Sequence, residues 1–464
     1  MSLLRHKDVN MLEGPLIPKI IALAVPLMIS NLLQMLYTAA DMIVVARSGV
    51  AATVGAIGST AQIINLILVL VVGFSVGANV VVARYIGARE PDKVTLAVHT
   101  ALFAAAVFGV AGGAVGYASA RRVMALLGEE GQLLELATKY CRIRFVGMPF
   151  LALTNFLIAI FRAKGDGTTP LTVLALSGLA NVLLNLFFVL VLHMDVDGVA
   201  WATVIASVLS VAQLLFHLMR TEGPCRFSFR LLKLDWKILA ELLRIGVPAG
   251  IQSALYTVSN MLITSSLLSV NNRVCPGGSA VIDGNSAAQS IANLASTCTD
   301  ALVTSLVSFA SQHVGARKYR RLRTFIGDAY LCCFVFSITS SWLLWLLRDP
   351  LLSMYISDPI AYETAYTRMG FMLRLYFLGA LMSCGGQVLR GMGWSMTSTM
   401  ITLILTCLLR IVWIYTVFAQ YGTLTSIYVS YPISWGIAAI AQFIGVMLCY
   451  RHLTRKNQPA LAND

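Results

Sequence analysis

Apolar stretches of 18 or more residues recur from one end of this chain to the other, and each is long enough to cross a hydrocarbon layer of about 30 Å. Inside such a layer no water is present to bond the backbone, so the crossings must be helices or the strands of a closed barrel. A barrel needs short segments of alternating polarity, and the continuous runs argue against it. Only 12% of the residues are charged and 58% are apolar, where an ordinary soluble domain carries about 25% charge. The reading is an all-α, polytopic membrane protein.

Apolar runs between polar punctuation predict twelve transmembrane helices, near 16–46, 54–83, 94–119, 132–161, 170–192, 198–219, 237–269, 284–313, 324–347, 362–389, 397–419 and 425–450. The first 19 residues are polar and mixed in charge, so no cleaved signal peptide is expected. Of nine cysteines, Cys298, Cys332, Cys333, Cys384, Cys407 and Cys449 fall in apolar spans, and none forms a CxxC or Cys/His metal spacing. Packing residues are expected of them, with no disulfide framework and no metal site.

A formal charge of +13 raises the question of nucleic acid, but its distribution answers against it. The first tail and every second loop hold 22 Lys and Arg residues, while the intervening loops hold five: Arg47, Arg121, Arg122, Arg273 and Arg348. By the positive-inside rule both termini lie in the cytoplasm. Membrane lipids are the expected partner for the excess of positive charge, in the plasma (inner) membrane.

The chain repeats itself. IGARE at 86–90 returns as VGARK at 314–318, and IFRAKGDGTT at 160–169 returns as VLRGMGWSMT at 388–397, both displaced by 228 residues. Two pseudo-symmetric six-helix bundles follow, an N-terminal lobe over 1–220 and a C-terminal lobe over 237–464. Residues 221–236, TEGPCRFSFRLLKLDW, join them as a cytoplasmic linker read as a helix lying in the interface. Two even-numbered halves share one orientation, related by an axis along the membrane normal, an arrangement common among secondary transporters.

A charge in mid-span costs a few kcal/mol or more, so each one asks for a partner or a task. Asp41 lies about 34 Å along the first helix from Pro18, with Tyr37 one turn below on the same face. Pro26 removes a backbone hydrogen bond and allows that helix to kink. In the fifth span NVLLN sets Asn181 and Asn185 on one face, with Asn155 and Thr203 as companions in the fourth and sixth. Asp41 in such company can exchange a proton, a sodium ion or an organic cation. In the second half Asp300, Arg374 and Arg410 fall within the eighth, tenth and eleventh spans. Opposite charges in one bundle most simply pair, with ion translocation as the alternative. Lys139, Arg142 and Arg144 are expected to snorkel, and the six histidines to be solvated or interfacial. No GxxxxGK[ST], HExxH or GxSxG is present, so neither ATP hydrolysis nor an enzyme activity is expected.

Taken together, GPLIPKIIALAVPLMISNLLQMLYTAADMIVVARSG, IGARE, FRAKGDGTTP and NVLLN resemble the multidrug and toxic compound extrusion (MATE) transporters over nearly the whole chain, closer to the DinF branch than to NorM. The resemblance implies two six-helix lobes arranged as a V and export driven by inward flow of H+ or Na+. In DinF-like relatives the carboxylate matching Asp41 binds the ion while the helix bends at the proline matching Pro26. The surrounding positions match Tyr37, Asn155, Asn181 and Thr203. Where many of them hold a second acid this chain has Asn185, and the NorM glutamate of the seventh helix is missing from GVPAGIQSALYTVSNML, so a sodium site of the NorM kind is not expected in the second lobe unless Asp300 compensates. The expectation is an antiporter, monomeric and without a cofactor, that exports amphipathic or cationic small organic molecules. The alternative is a flippase for a lipid-linked oligosaccharide.

Overall fold

The computed structural model describes residues 8–47, 51–231 and 233–456, with the backbone alone at 41–47, 51–57 and 456. Among these residues there are helices and loops and no strand. In chain order the helices are α1 (Leu16–Arg47), α2 (Ala51–Gly87), α3 (Pro91–Leu126), α4 (Gly131–Val146), α5 (Met148–Lys164), α6 (Thr168–Leu186), α7 (Val196–Arg220), α8 (Trp236–Val274), α9 (Ala280–Gly315), α10 (Tyr319–Leu346), α11 (Arg348–Ser353), α12 (Pro359–Met372), α13 (Tyr376–Gly391), α14 (Ser395–Thr402), α15 (Leu409–Trp413), α16 (Ala419–Tyr421) and α17 (Leu424–Lys456). Among the described residues ten spans are long and apolar enough to cross a membrane, one of them running through α14 to α16. Two bent helix pairs, each taken as one span, bring the number to twelve.

The bends were not anticipated. The expected spans 132–161 and 362–389 are α4 with α5, meeting at 47°, and α12 with α13, meeting at 48°. At the first, Gly147 precedes Met148 and Pro149, and proline has no N–H with which to carry the ladder on. A Cβ on Gly147 would come within 2.8 Å of Val204 Cγ2, so glycine at the bend lets α7 approach closely.

The sequence repeat is a repeat of backbone geometry. The two bent pairs begin at 131 and 359, displaced by the same 228 residues. Arg89 and Arg317 take positive φ angles of 56° and 55°, and Gly165 and Gly393 take 96° and 93°. A non-glycine residue in this region costs roughly 1–2 kcal/mol, and both halves accept that cost at the same point of the same loop. A π-helical stretch, Phe187–Val191, follows α6; Ile414–Phe418 stands near the corresponding place in the second half, between α15 and α16.

Two compact units result: Met1–Asn10 with Ile29–Gly250, and Met11–Met28 with Ile251–Asp464. Two of the three changeovers fall inside a long helix two residues past a proline, Pro26 in α1 and Pro248 in α8. Within the first unit α2 and the start of α8 cross at matched glycines, Gly73 and Gly77 against Gly246 and Gly250. A Cβ on Gly73 would lie 2.6 Å from Gly250 N and one on Gly77 3.0 Å from Gly246 N. Small residues spaced in this way let membrane helices approach backbone to backbone.

Residues 221–236 are not an interfacial helix. Before α8 begins at Trp236, their only helical turn among the described residues is a 3-10 turn at Phe229–Leu231, and the segment is docked on α3. Thr95 donates to Pro224 O at 2.8 Å. His99 Nδ1 donates to Thr95 O at 2.7 Å, while its Nε2 accepts from Ser228 N at 3.1 Å and its ring stacks on Phe227. His99 and His313 are both fully buried, against the expectation of solvated histidines. Cys225, in the same segment, is buried, and burial pushes its thiol up to about 11.

Candidate functional site

In the first unit the site is built where α1 passes α6. Asp166 opens α6 by accepting hydrogen bonds from the N–H groups of Thr168 and Thr169, both at 3.0 Å, and from their two hydroxyls. That is the structural work of the GDGTT motif. From there α6 buries a stripe of polar residues at four-residue spacing: Ser177, Asn181 and Asn185, exposed by 3%, 6% and 0%. The Asn185 amide donates to Asn181 Oδ1 at 3.4 Å.

Tyr37 is the contact from α1. Its hydroxyl donates to Ala175 O at 3.1 Å, and a Cβ on Gly178 would run into its ring. The tyrosine therefore lies on α6 within one turn of Ser177 and Asn181. Asp41 is four residues further along the unbroken α1, and its side chain lies outside the described residues. Asn155 and Thr203 turn to their own helices, donating to Leu151 O at 2.9 Å and Val199 O at 3.0 Å. The structure thus seats Tyr37 on α6 at Ala175 and Gly178, while the hydrogen bonds of Asn155 and Thr203 stay local. Ser177 was overlooked in the sequence, although its place four residues before Asn181 was signal enough. Its hydroxyl is buried and has no hydrogen-bond partner among the described residues.

In the second unit the expected ion pair does not form. Arg410 is fully buried, yet its guanidinium donates to Ser434 Oγ at 2.8 Å and to Asn260 Oδ1 at 3.1 Å, and no carboxylate pairs with it among the described residues. Aromatic faces take the place of the acid, with Tyr431, Tyr256 and Trp435 centred 4.2, 5.5 and 5.7 Å from its Cζ. Cation–π attraction of this kind strengthens when the ion is desolvated. Arg374, at the break between α12 and α13, is exposed and lies 4.1 Å from the Trp345 ring centre, while Asp300 is exposed on α9. A second polar cluster had gone unread. Arg368, 6% exposed, donates to Asn285 and Gln289, and Tyr428 donates to Asn285 at 3.2 Å.

Comparison with known proteins gives these features a setting. The family model MatE matches residues 26–187 and 248–416, beginning in each half at the helix proline. The Probable multidrug resistance protein YoeA of Bacillus subtilis is 26% identical over 381 residues, covering 79% of this chain and 80% of that protein. The Probable multidrug resistance protein NorM of Thermotoga maritima is 24% identical over 399 residues, 84% of each. A structure described as the outward-facing conformation of a multidrug resistance MATE family transporter superposes with a TM-score of 0.87 at 22% identity, over 97% of this chain and 99% of that one. A crystal structure of a mutant MATE gives 0.88 at 21% identity with the same coverage. The solved structures share the fold, and the family model covers well over half of the residues: this chain belongs to the MATE family of multidrug efflux transporters.

Proposed function

We propose that the protein is a secondary antiporter that exports amphipathic and cationic organic compounds, with Asp41 as the carboxylate that takes up H+ or Na+. The observation that carries the reading is the seating of Tyr37 on α6. One helical turn separates Tyr37 from Asp41 on the same face of α1, so the acid belongs at the level of the amides Asn181 and Asn185. Amide oxygens and a carboxylate make a hard-oxygen set suited to Na+. The same carboxylate, poorly hydrated, also suits a proton.

The cycle follows from competition. An ion entering from the extracytoplasmic side neutralises Asp41, α1 changes shape at Pro26, and an organic cation held nearby is released outward. Coupling requires that ion and substrate prefer different conformations; without that difference neither shifts the population. Asn155 and Thr203 complete the pocket, and in the second half Asp300, Arg374 and Arg410 are candidates for contact with substrate or ion. The protein is neither an enzyme nor a nucleic-acid binder. It works as a monomer, without a bound cofactor, in the plasma membrane with both termini cytoplasmic. The drug-resistance names of the relatives favour export of drugs over the flippase alternative. The test is transport by purified protein in sealed vesicles, with proton and sodium gradients imposed separately. Drug movement driven by one of the two supports the proposal; movement that needs ATP and ignores both refutes it.

A further inference from the structure

The second unit holds an intramembrane acid that its own packing leaves unused. Asp300 lies near the middle of α9, 20 residues from its first and 15 from its last, and it is exposed, whereas Thr299 on one side and Ala301 to Val303 on the other are buried. The helices α10, α12 and α13 pack against α9. The face they leave open carries Ser286, Gln289, Asn293, Ser296, Asp300 and Thr304, all exposed or half-buried. Steps of three and four residues keep these six on one side of the helix.

A carboxylate at this depth costs a few kcal/mol against acyl chains, and such groups face a partner or a water-filled space. Asp300 has no salt-bridge partner among the described residues. Arg410 is fully buried and offers no surface to an occupant, and Arg374 lies over the Trp345 ring instead. Arg368 meets the polar face at Gln289, about 16 Å along the helix from Asp300. The counter-charge for this acid therefore has to come from solution.

Its surroundings select the kind of cation. Tyr376, half-buried, reaches the Thr299 hydroxyl and stands within electrostatic range of Asp300. Its ring meets Trp435 edge-on with centroids 6.2 Å apart, which fixes it in place. A small hard ion is held by several oxygen ligands. A carboxylate beside an aromatic ring suits a larger, weakly hydrated organic cation.

We propose that Asp300 and Tyr376 form a binding station for the cationic group of the exported compound, in addition to the carboxylate that takes up H+ or Na+. The assignment rests on the reading of the chain as an exporter of organic cations. It gives the two acids different tasks, Asp41 taking the ion and Asp300 selecting positive charge in the cargo.

The test is equilibrium binding of tetraphenylphosphonium to the full chain in uncharged detergent, followed by calorimetry with no ion gradient. The wild type is expected to hold it at least tenfold more tightly than tetraphenylborate, an anion of nearly the same size and shape. Asp300→Asn should weaken tetraphenylphosphonium binding about tenfold, a half-buried pair of opposite charges being worth at least that factor, and Asp300→Glu should keep most of the affinity. Tyr376→Leu should weaken it about threefold and Tyr376→Phe, which keeps the ring, should not. Asp300→Asn should melt no lower than the wild type, because no salt bridge is lost. If it nevertheless misfolds, the two tetraphenyl ions on the wild type and the Tyr376 variants decide. Equal binding of the two ions by the wild type, or unchanged tetraphenylphosphonium binding by Asp300→Asn, would overturn the proposal. Binding lost in Asp41→Asn and kept in Asp300→Asn would also overturn it, while leaving the antiport reading intact. Binding that depends on Asp300 in a protein whose transport ignores both gradients would support this site and refute antiport.

Discussion

Arg410 shows what a buried charge does when no acid is at hand. Its hydrogen bonds go to a serine and an amide, and its faces to three aromatic rings. With two hydrogen bonds to a charged group lost, Arg410→Ala should cost about 3 kcal/mol or more. Arg410→Met should recover part of that by refilling the cage. Denaturant titration of the purified variants measures both, and an alanine variant as stable as the wild type would show that the cage contributes nothing. The arginine itself was visible in the sequence, because a lone charge in an apolar run stands out. Its partners were not: Asn260 is 150 residues away and Ser434 is 24, and neither is unusual in a helix of small and polar residues. Asn181 and Asn185 were legible for the opposite reason, since four-residue spacing is local. Ser177 shared that spacing, but a single serine in an apolar span usually bonds its own backbone and draws no notice.

Helices carry their boundaries in apolar length, and the spans read from the sequence lie close to those of the structure. What length does not encode is a bend inside a span or the approach of one helix to another. Hence the breaks at Gly147 and between Met372 and Tyr376 went unread, as did the docking of residues 221–231 on α3. The α2–α8 crossing is written in glycines spaced by four on both helices, a signal that can be recognised once the two are known to meet. Gly77→Val should separate the backbones, because even a Cβ would lie 3.0 Å from Gly246 N. A loss of about 1–3 kcal/mol is expected from the overpacking, read as a lower thermal midpoint and reduced yield of folded protein, whereas Gly58→Ala, with open space around its Cβ, should leave both unchanged.

At the level of the entire chain, duplication explains the most. Two motifs displaced by 228 residues foretold a repeated backbone, and the paired left-handed residues and paired bends bear it out. The halves nevertheless diverge in chemistry. One buries amides beside the helix that carries Asp41, and the other buries arginines among aromatic rings and amides. Pro26 and Pro248 stand where the compact units change over, so a change of helix shape at these points reaches both units through the chain itself. The decisive measurement compares wild type and Asp41→Asn in the same vesicles, following drug accumulation under an imposed ion gradient and drug-for-drug exchange without one. The variant is predicted to lose gradient-driven accumulation and keep exchange, because substrate still passes while the ion has nothing to neutralise. Accumulation at the wild-type rate by Asp41→Asn would contradict the assignment of Asp41 as the coupling residue.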